Sequence, residues 1–114
     1  MFSFFKTVEV DNQMVVAFVQ WFCANEERIR QSVENRTTNH NEMMIMLDEV
    51  EAQLAKIYRD GYKGRIEFDY GGKDQDWELN LYHLNNKFLI RATSLIAAAF
   101  ENTGLSTWKI KIGK

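Results

Sequence analysis

Ile66-Glu67-Phe68-Asp69-Tyr70-Gly71-Gly72-Lys73-Asp74-Gln75-Asp76-Trp77-Glu78-Leu79-Asn80-Leu81 is the stretch that decides the fold. Before it, apolar residues recur at helical spacing. Within it, they recur at every second position. Successive side chains of a strand point to opposite faces, so Ile66, Phe68 and Tyr70 belong to one face and Arg65, Glu67 and Asp69 to the other. Beyond Gly71-Gly72-Lys73-Asp74, Trp77, Leu79 and Leu81 alternate in the same way with Asp76, Glu78 and Asn80. Two alternating runs around a glycine turn predict a β-hairpin over residues 65–70 and 77–82. Setting Tyr70 opposite Trp77 gathers all six apolar residues on one face, and brings Asp69 opposite Glu78 on the other.

Upstream, Asp11 or Asn12 can cap a first helix, its side-chain oxygen accepting a free backbone N–H. Met14, Phe18, Phe22, Ile29 and Val33 follow helical spacing, which predicts a helix running to about Asn35. Its first half adds Val15, Val19 and Trp21 and is apolar nearly all round, as a segment buried from more than one side would be. Thr37-Thr38-Asn39-His40-Asn41 reads as a polar loop, with Asn41 capping a second helix. The stripe of that helix is Met43, Leu47, Val50, Leu54 and Ile57, and it stops before Gly61. Met44 and Met46 lie off the stripe; core filling is the favoured reading for the methionines, and an adaptable contact surface the other.

Downstream, Asn85 or Asn86 opens a third helix carrying Phe88, Leu89, Ala92, Leu95, Ile96, Ala99 and Phe100, with Gly104 as its stop. Trp108, Ile110 and Ile112 then alternate with Lys109 and Lys111 as a last strand. The order α-α-β-β-α-β predicts a single two-layer α+β domain over residues 1–114, with a small antiparallel-rich sheet covered on one face by helices.

A chain of 114 residues can bury one real core and is too short for two. A net charge of −2 without a basic stripe argues against nucleic acid as a partner. Cys23 is the only cysteine, so no internal disulfide forms, and cytoplasmic residence is expected. The apolar opening Met1-Phe2-Ser3-Phe4-Phe5-Lys6 is too short for a secretion signal. The longest apolar run, Met14 to Val19, falls far short of the ~18 residues of a membrane span.

Several pieces resemble a family of uncharacterised small bacterial proteins. They are Trp21-Phe22 followed by Asn25-Glu26, Ile66-Glu67-Phe68 with a turn and Glu78-Leu79, the alanine-rich Leu95-Ile96-Ala97-Ala98-Ala99, and the closing Trp108-Lys109-Ile110. The resemblance spans roughly residues 15–112 and implies the same α+β fold. It implies no activity and supplies no catalytic residue.

The outer face of the predicted hairpin is the most unusual patch, with Glu67 and Asp69 on one strand and Asp76 and Glu78 on the next. Such carboxylates can dock a basic partner or hold a divalent cation through oxygen ligands. They can equally form a solvated face neutralised by Lys109 and Lys111 on an adjacent strand. His40, His83 and Cys23 match no zinc spacing, and Cys23 sits mid-helix among apolar residues, where a thiol is unreactive. Ser94 and Ser106 lack a nucleophile elbow, and the glycine turn lacks the spacing of a phosphate loop.

No catalytic residue, metal site or cofactor is therefore assigned. The expected function is that of a cytoplasmic, non-catalytic domain binding another, basic protein, as an immunity-type protein or adaptor. The alternatives are a small metal-dependent hydrolase using the same four carboxylates, and a structural homodimer sharing the apolar first helix.

Overall fold

A computed structural model of the chain describes residues 10–57, 66–74, 76–105 and 107–114. The elements run α-α-α-β-β-α-β, an α+β fold. The expected roles of Met1–Lys6, Gly61, Arg65 and Ser106 fall outside the described residues.

Helix α1 (Asn12–Ala24) starts at Asp11, whose carboxylate accepts the N–H groups of Gln13 and Met14. It buries Val15, Phe18, Val19 and Phe22. It does not run on to Asn35 as the apolar period predicts. The chain leaves helical geometry at Asn25, with φ −108° and ψ 9°, and α2 (Glu26–Glu34) begins there. The Asn25 side chain donates to the Trp21 carbonyl at 2.8 Å, giving the backbone a local alternative to helix. Helix α2 buries Ile29, Ser32 and Val33. Trp21, expected in the core, stacks on Phe18 and stays partly exposed.

Helix α3 (His40–Ala55) is capped by Asn39 rather than Asn41; the Asn39 side chain accepts the Glu42 N–H at 3.2 Å. Its fully buried stripe is Met46, Val50 and Leu54, continued by Ile57, while Met43 and Leu47 are half-buried. Met46 therefore belongs to the core, one turn before Val50, and only Met44 of the three methionines is exposed.

Strands β1 (Glu67–Lys73) and β2 (Asp76–Tyr82) form the hairpin. Their register sets Phe68 opposite Leu81, Tyr70 opposite Leu79 and Gly72 opposite Trp77. That is two residues tighter than expected, because Gly71 and Gly72 stay in the strand and the connection is only 74–75. A two-residue hairpin needs left-handed backbone, and Asp74 supplies it with φ 57°. A slip of two keeps every side chain on its face. The apolar set stays together, but Asp69 now faces Asn80, and Glu78 faces Gly71.

Helix α4 (Lys87–Glu101) is capped by Asn86, whose side chain accepts from the Phe88 and Leu89 N–H groups. It carries the chain back along the sheet, so β3 (Trp108–Gly113) lies parallel to β2, with Trp77 beside Trp108 and Leu79 beside Ile110. The sheet is thus mixed rather than mostly antiparallel, in the order β1-β2-β3. Trp77, Leu79 and Leu81 of the central strand are fully buried. Phe22 links the layers, meeting Phe100 edge-on at 5.4 Å and Trp108 at 5.1 Å. The Tyr70 hydroxyl is buried close to Ser32 without forming a well-made hydrogen bond; burial pushes it up to about 12, against a smaller lowering by Ser32. Among the described residues no helix is long and apolar enough to cross a membrane.

Candidate functional site

Period-two geometry sends Glu67, Asp69, Gly71 and Lys73 of β1, Asp76, Glu78, Asn80 and Tyr82 of β2, and Lys109, Lys111 and Gly113 of β3 to the outer face. All four predicted carboxylates share it, but they are not opposed to one another. Asp69 accepts from Asn80 Nδ2 at 2.6 Å and from the Tyr82 hydroxyl at 2.8 Å. Lys111 Nζ lies 2.6 Å from Glu78, and Lys109 Nζ lies 3.4 Å from Asp76. Each lysine leans one step along the sheet, since the residue beside Lys109 is Glu78 and the residue beside Lys111 is Asn80. Glu67 is exposed, opposite Tyr82. The repulsion expected between Asp69 and Glu78 is therefore replaced by a set of local pairings, of which the sequence offered only neutralisation by Lys109 and Lys111.

These pairings show in the titration of the partners. The hydrogen bond to Asp69, then burial and the charges of Asp69 and Glu78, hold the Tyr82 hydroxyl above its usual range. The hydrogen bond to Glu78 and the attraction of its charge do the same for Lys111. Tyr82 lies across the place where Gly113 lacks a side chain, its ring 3.2 Å from where a Cβ would stand.

A second glycine leaves the face open. Nothing lies within 4 Å of the Cβ position at Gly71. A depression of about 330 Å³ forms there, walled by Asp69, Asp76, Glu78, Lys73 and Asn80. Three carboxylates thus surround it against one lysine.

Other candidate chemistry stays dispersed. Cys23 is half-buried on α1, His40 opens α3, and His83 follows β2, with Nδ1 accepting the Asn85 N–H at 3.0 Å. Ser94 is exposed on α4. Among the described residues no three His, Cys, Asp or Glu side chains come together as a metal ion would need.

One constellation escaped sequence reasoning. Glu26, the first residue of α2, accepts from Trp108 Nε1 at 3.0 Å and from Arg30 Nε at 3.0 Å. The partners Glu26 and Trp108 are 82 residues apart, and no local period connects them. The only signal was their shared place in the family-like pieces. The structure brings Trp21, Phe22, Asn25, Glu26 and Trp108 to one corner, where they hold the α1–α2 break against β3. Burial alone would raise the Glu26 carboxyl, but the hydrogen bonds from Arg30 and Trp108, with the charge of Arg30, together hold it below its usual range.

A depressed folded-state value means that Glu26 stabilises the fold above its unfolded pKa, and that this contribution is lost as pH falls through the folded value. Glu26→Gln should lower stability at neutral pH by about 1 kcal/mol, the worth of a charge-assisted bond weakened to a neutral one. It should also flatten the loss of stability toward acid. Melting temperatures of both proteins across the acid range check this; parallel curves would show that Glu26 contributes nothing to the slope.

No family model matches the chain, and neither curated proteins nor solved structures yield a match.

Proposed function

We propose that this chain is a non-catalytic, cytoplasmic protein-binding domain of immunity or adaptor type, engaging a basic partner protein through the outer sheet face. The depression over Gly71 supports the reading. It is sized for one long side chain, and its walls carry Asp69, Asp76 and Glu78 with Lys73; Asp76 and Glu78 are paired from β3 by Lys109 and Lys111. A partner's arginine or lysine inserted there meets carboxylates that Lys109, Lys111, Asn80 and Tyr82 already hold in place. Groups fixed before binding lose little entropy on it. Glu67 adds charge at the rim, where it speeds encounter more than it tightens the complex. A domain of this kind acts by covering the partner's basic working surface.

Peptides displayed on phage and selected on the immobilised protein test the reading. Gly71→Lys is the control, because it fills the depression at a position whose backbone is not left-handed. Selected peptides should be rich in arginine and lysine, bind less as salt rises, and fail to bind the variant. The variant should melt no lower than the parent, since a strand glycine is itself destabilising. Selection of peptides without basic residues, or equal binding by Gly71→Lys, would reject the proposal.

A further inference from the structure

The free edge of β3 has the geometry to receive one more strand. The Gly113 carbonyl accepts the His83 N–H at 3.0 Å. In a parallel ladder a residue turns both its backbone groups to the same neighbour, and the next residue turns both away. Lys109, Lys111 and Gly113 therefore bond to β2, and Trp108, Ile110 and Ile112 present N–H and C=O groups to the open side. Among the described residues no strand pairs there, since the sheet ends at β3.

On the inner side of this edge the described residues leave a shelf with several apolar side chains. Helix α4 overhangs the edge, and the shelf, of about 190 Å³, is lined by Ala97, Phe100, Leu105, Trp108 and Ile110, with Glu101 also at its wall. Ile112 remains 43 % exposed, although Leu81 beside it in β2 is fully covered. The outer side of the same edge is basic, with Lys109 and Lys111 exposed. Among the described residues each of those lysines pairs with one carboxylate, and an ammonium carries three donors.

We propose that the β3 edge binds an extended segment of a partner protein in which apolar and acidic residues alternate. The segment adds as a fourth strand, with main-chain hydrogen bonds to Ile110 and Ile112. Its apolar side chains lie on the shelf under α4 and its acidic ones meet Lys109 and Lys111. Charge decides against a second copy pairing through its own β3, because that would set lysines opposite lysines. The edge backbone and the shelf under α4 lie away from the depression over Gly71, although Lys109 and Lys111 also pair with two of its carboxylates; the proposal does not depend on what the depression binds.

The probe is a short synthetic peptide alternating isoleucine and glutamate, titrated into the isotope-labelled protein and followed by amide chemical shifts and hydrogen exchange. Shifts should gather at residues 108–113, and the Ile110 and Ile112 amides should become protected. The same peptide N-methylated on the residues facing β3 should not bind. Ile112→Lys, altering an exposed side chain, should weaken binding about tenfold or more, the worth of one buried aliphatic side chain, without lowering the melting temperature. Three results would each overturn the proposal: no binding, shifts centred on Gly71 instead, or protection of the β3 amides by self-association of the protein without peptide.

Discussion

Phe22→Ala is expected to cost about 3–5 kcal/mol of stability, the usual loss for a large aromatic removed from a sealed core. Phe22 is 0 % exposed and stands where three elements meet. Its ring contacts Phe18 of its own helix, Phe100 of α4 and Trp108 of β3, at centroid distances of 6.1, 5.4 and 5.1 Å. Two of these are edge-on, the favoured arrangement of aromatic quadrupoles, each worth about 0.5–1.5 kcal/mol beyond burial. Truncation loses these contacts and opens a cavity between the layers. The neighbours cannot close it easily, because Trp108 is tied to Glu26 and Trp77 lies behind it. Phe22→Leu keeps much of the volume and should cost markedly less. Urea unfolding followed by circular dichroism measures both. A loss from the alanine variant below about 1 kcal/mol would mean that the site collapses freely, and that Phe22 is not the link between helices and sheet.

Gly72→Ala should cost on the order of 3 kcal/mol, combining a backbone region closed to L-residues with a direct overlap. Gly72 has φ 151°, and a Cβ there would strike the Asp76 carbonyl across the hairpin and lie 2.8 Å from the Trp77 Cα. Both obstacles are backbone, so no side-chain rotation relieves them. The hairpin end must splay, which also disturbs the Trp77 Nε1 donation to the Asp74 carbonyl at 3.0 Å. Gly71→Ala, one residue earlier, meets nothing within 4 Å and serves as the control. Equal melting temperatures for the two variants would sink the argument.

The contrast between these glycines shows where sequence reasoning stops. Period two placed Phe68, Tyr70, Trp77, Leu79 and Leu81 on one face correctly, since facing depends only on parity. The register depended on whether Gly71 and Gly72 turn or extend, and nothing in their identity decides that. The helical period was also continuous through Asn25, because Phe22 and Ile29 keep helical spacing across the break. At the interruption the Asn25 side-chain amide donates to the Trp21 carbonyl, a local bond that apolar spacing does not report. The expected sheet was mostly antiparallel; α4 between β2 and β3 returns the chain so that β3 pairs parallel, a direction that period two does not encode. At the outer face, the four carboxylates were visible as residues. Their pairing with Lys109, Lys111, Asn80 and Tyr82 awaited the register.

The parallel placement of β3 has a consequence for how the chain is made. Strand β2 is complete at Tyr82, but its second neighbour begins only at Trp108. While the polypeptide is synthesised from its N-terminus, the strand destined for the centre of the sheet is for a time an outer one. Its backbone groups on that side and the indole of Trp77 await a partner that has not yet emerged. Unpaired strand margins on nascent chains are sites of misassociation. Only when Trp108 arrives can β3 pair with that side of β2, and the same residue then closes the corner at Glu26.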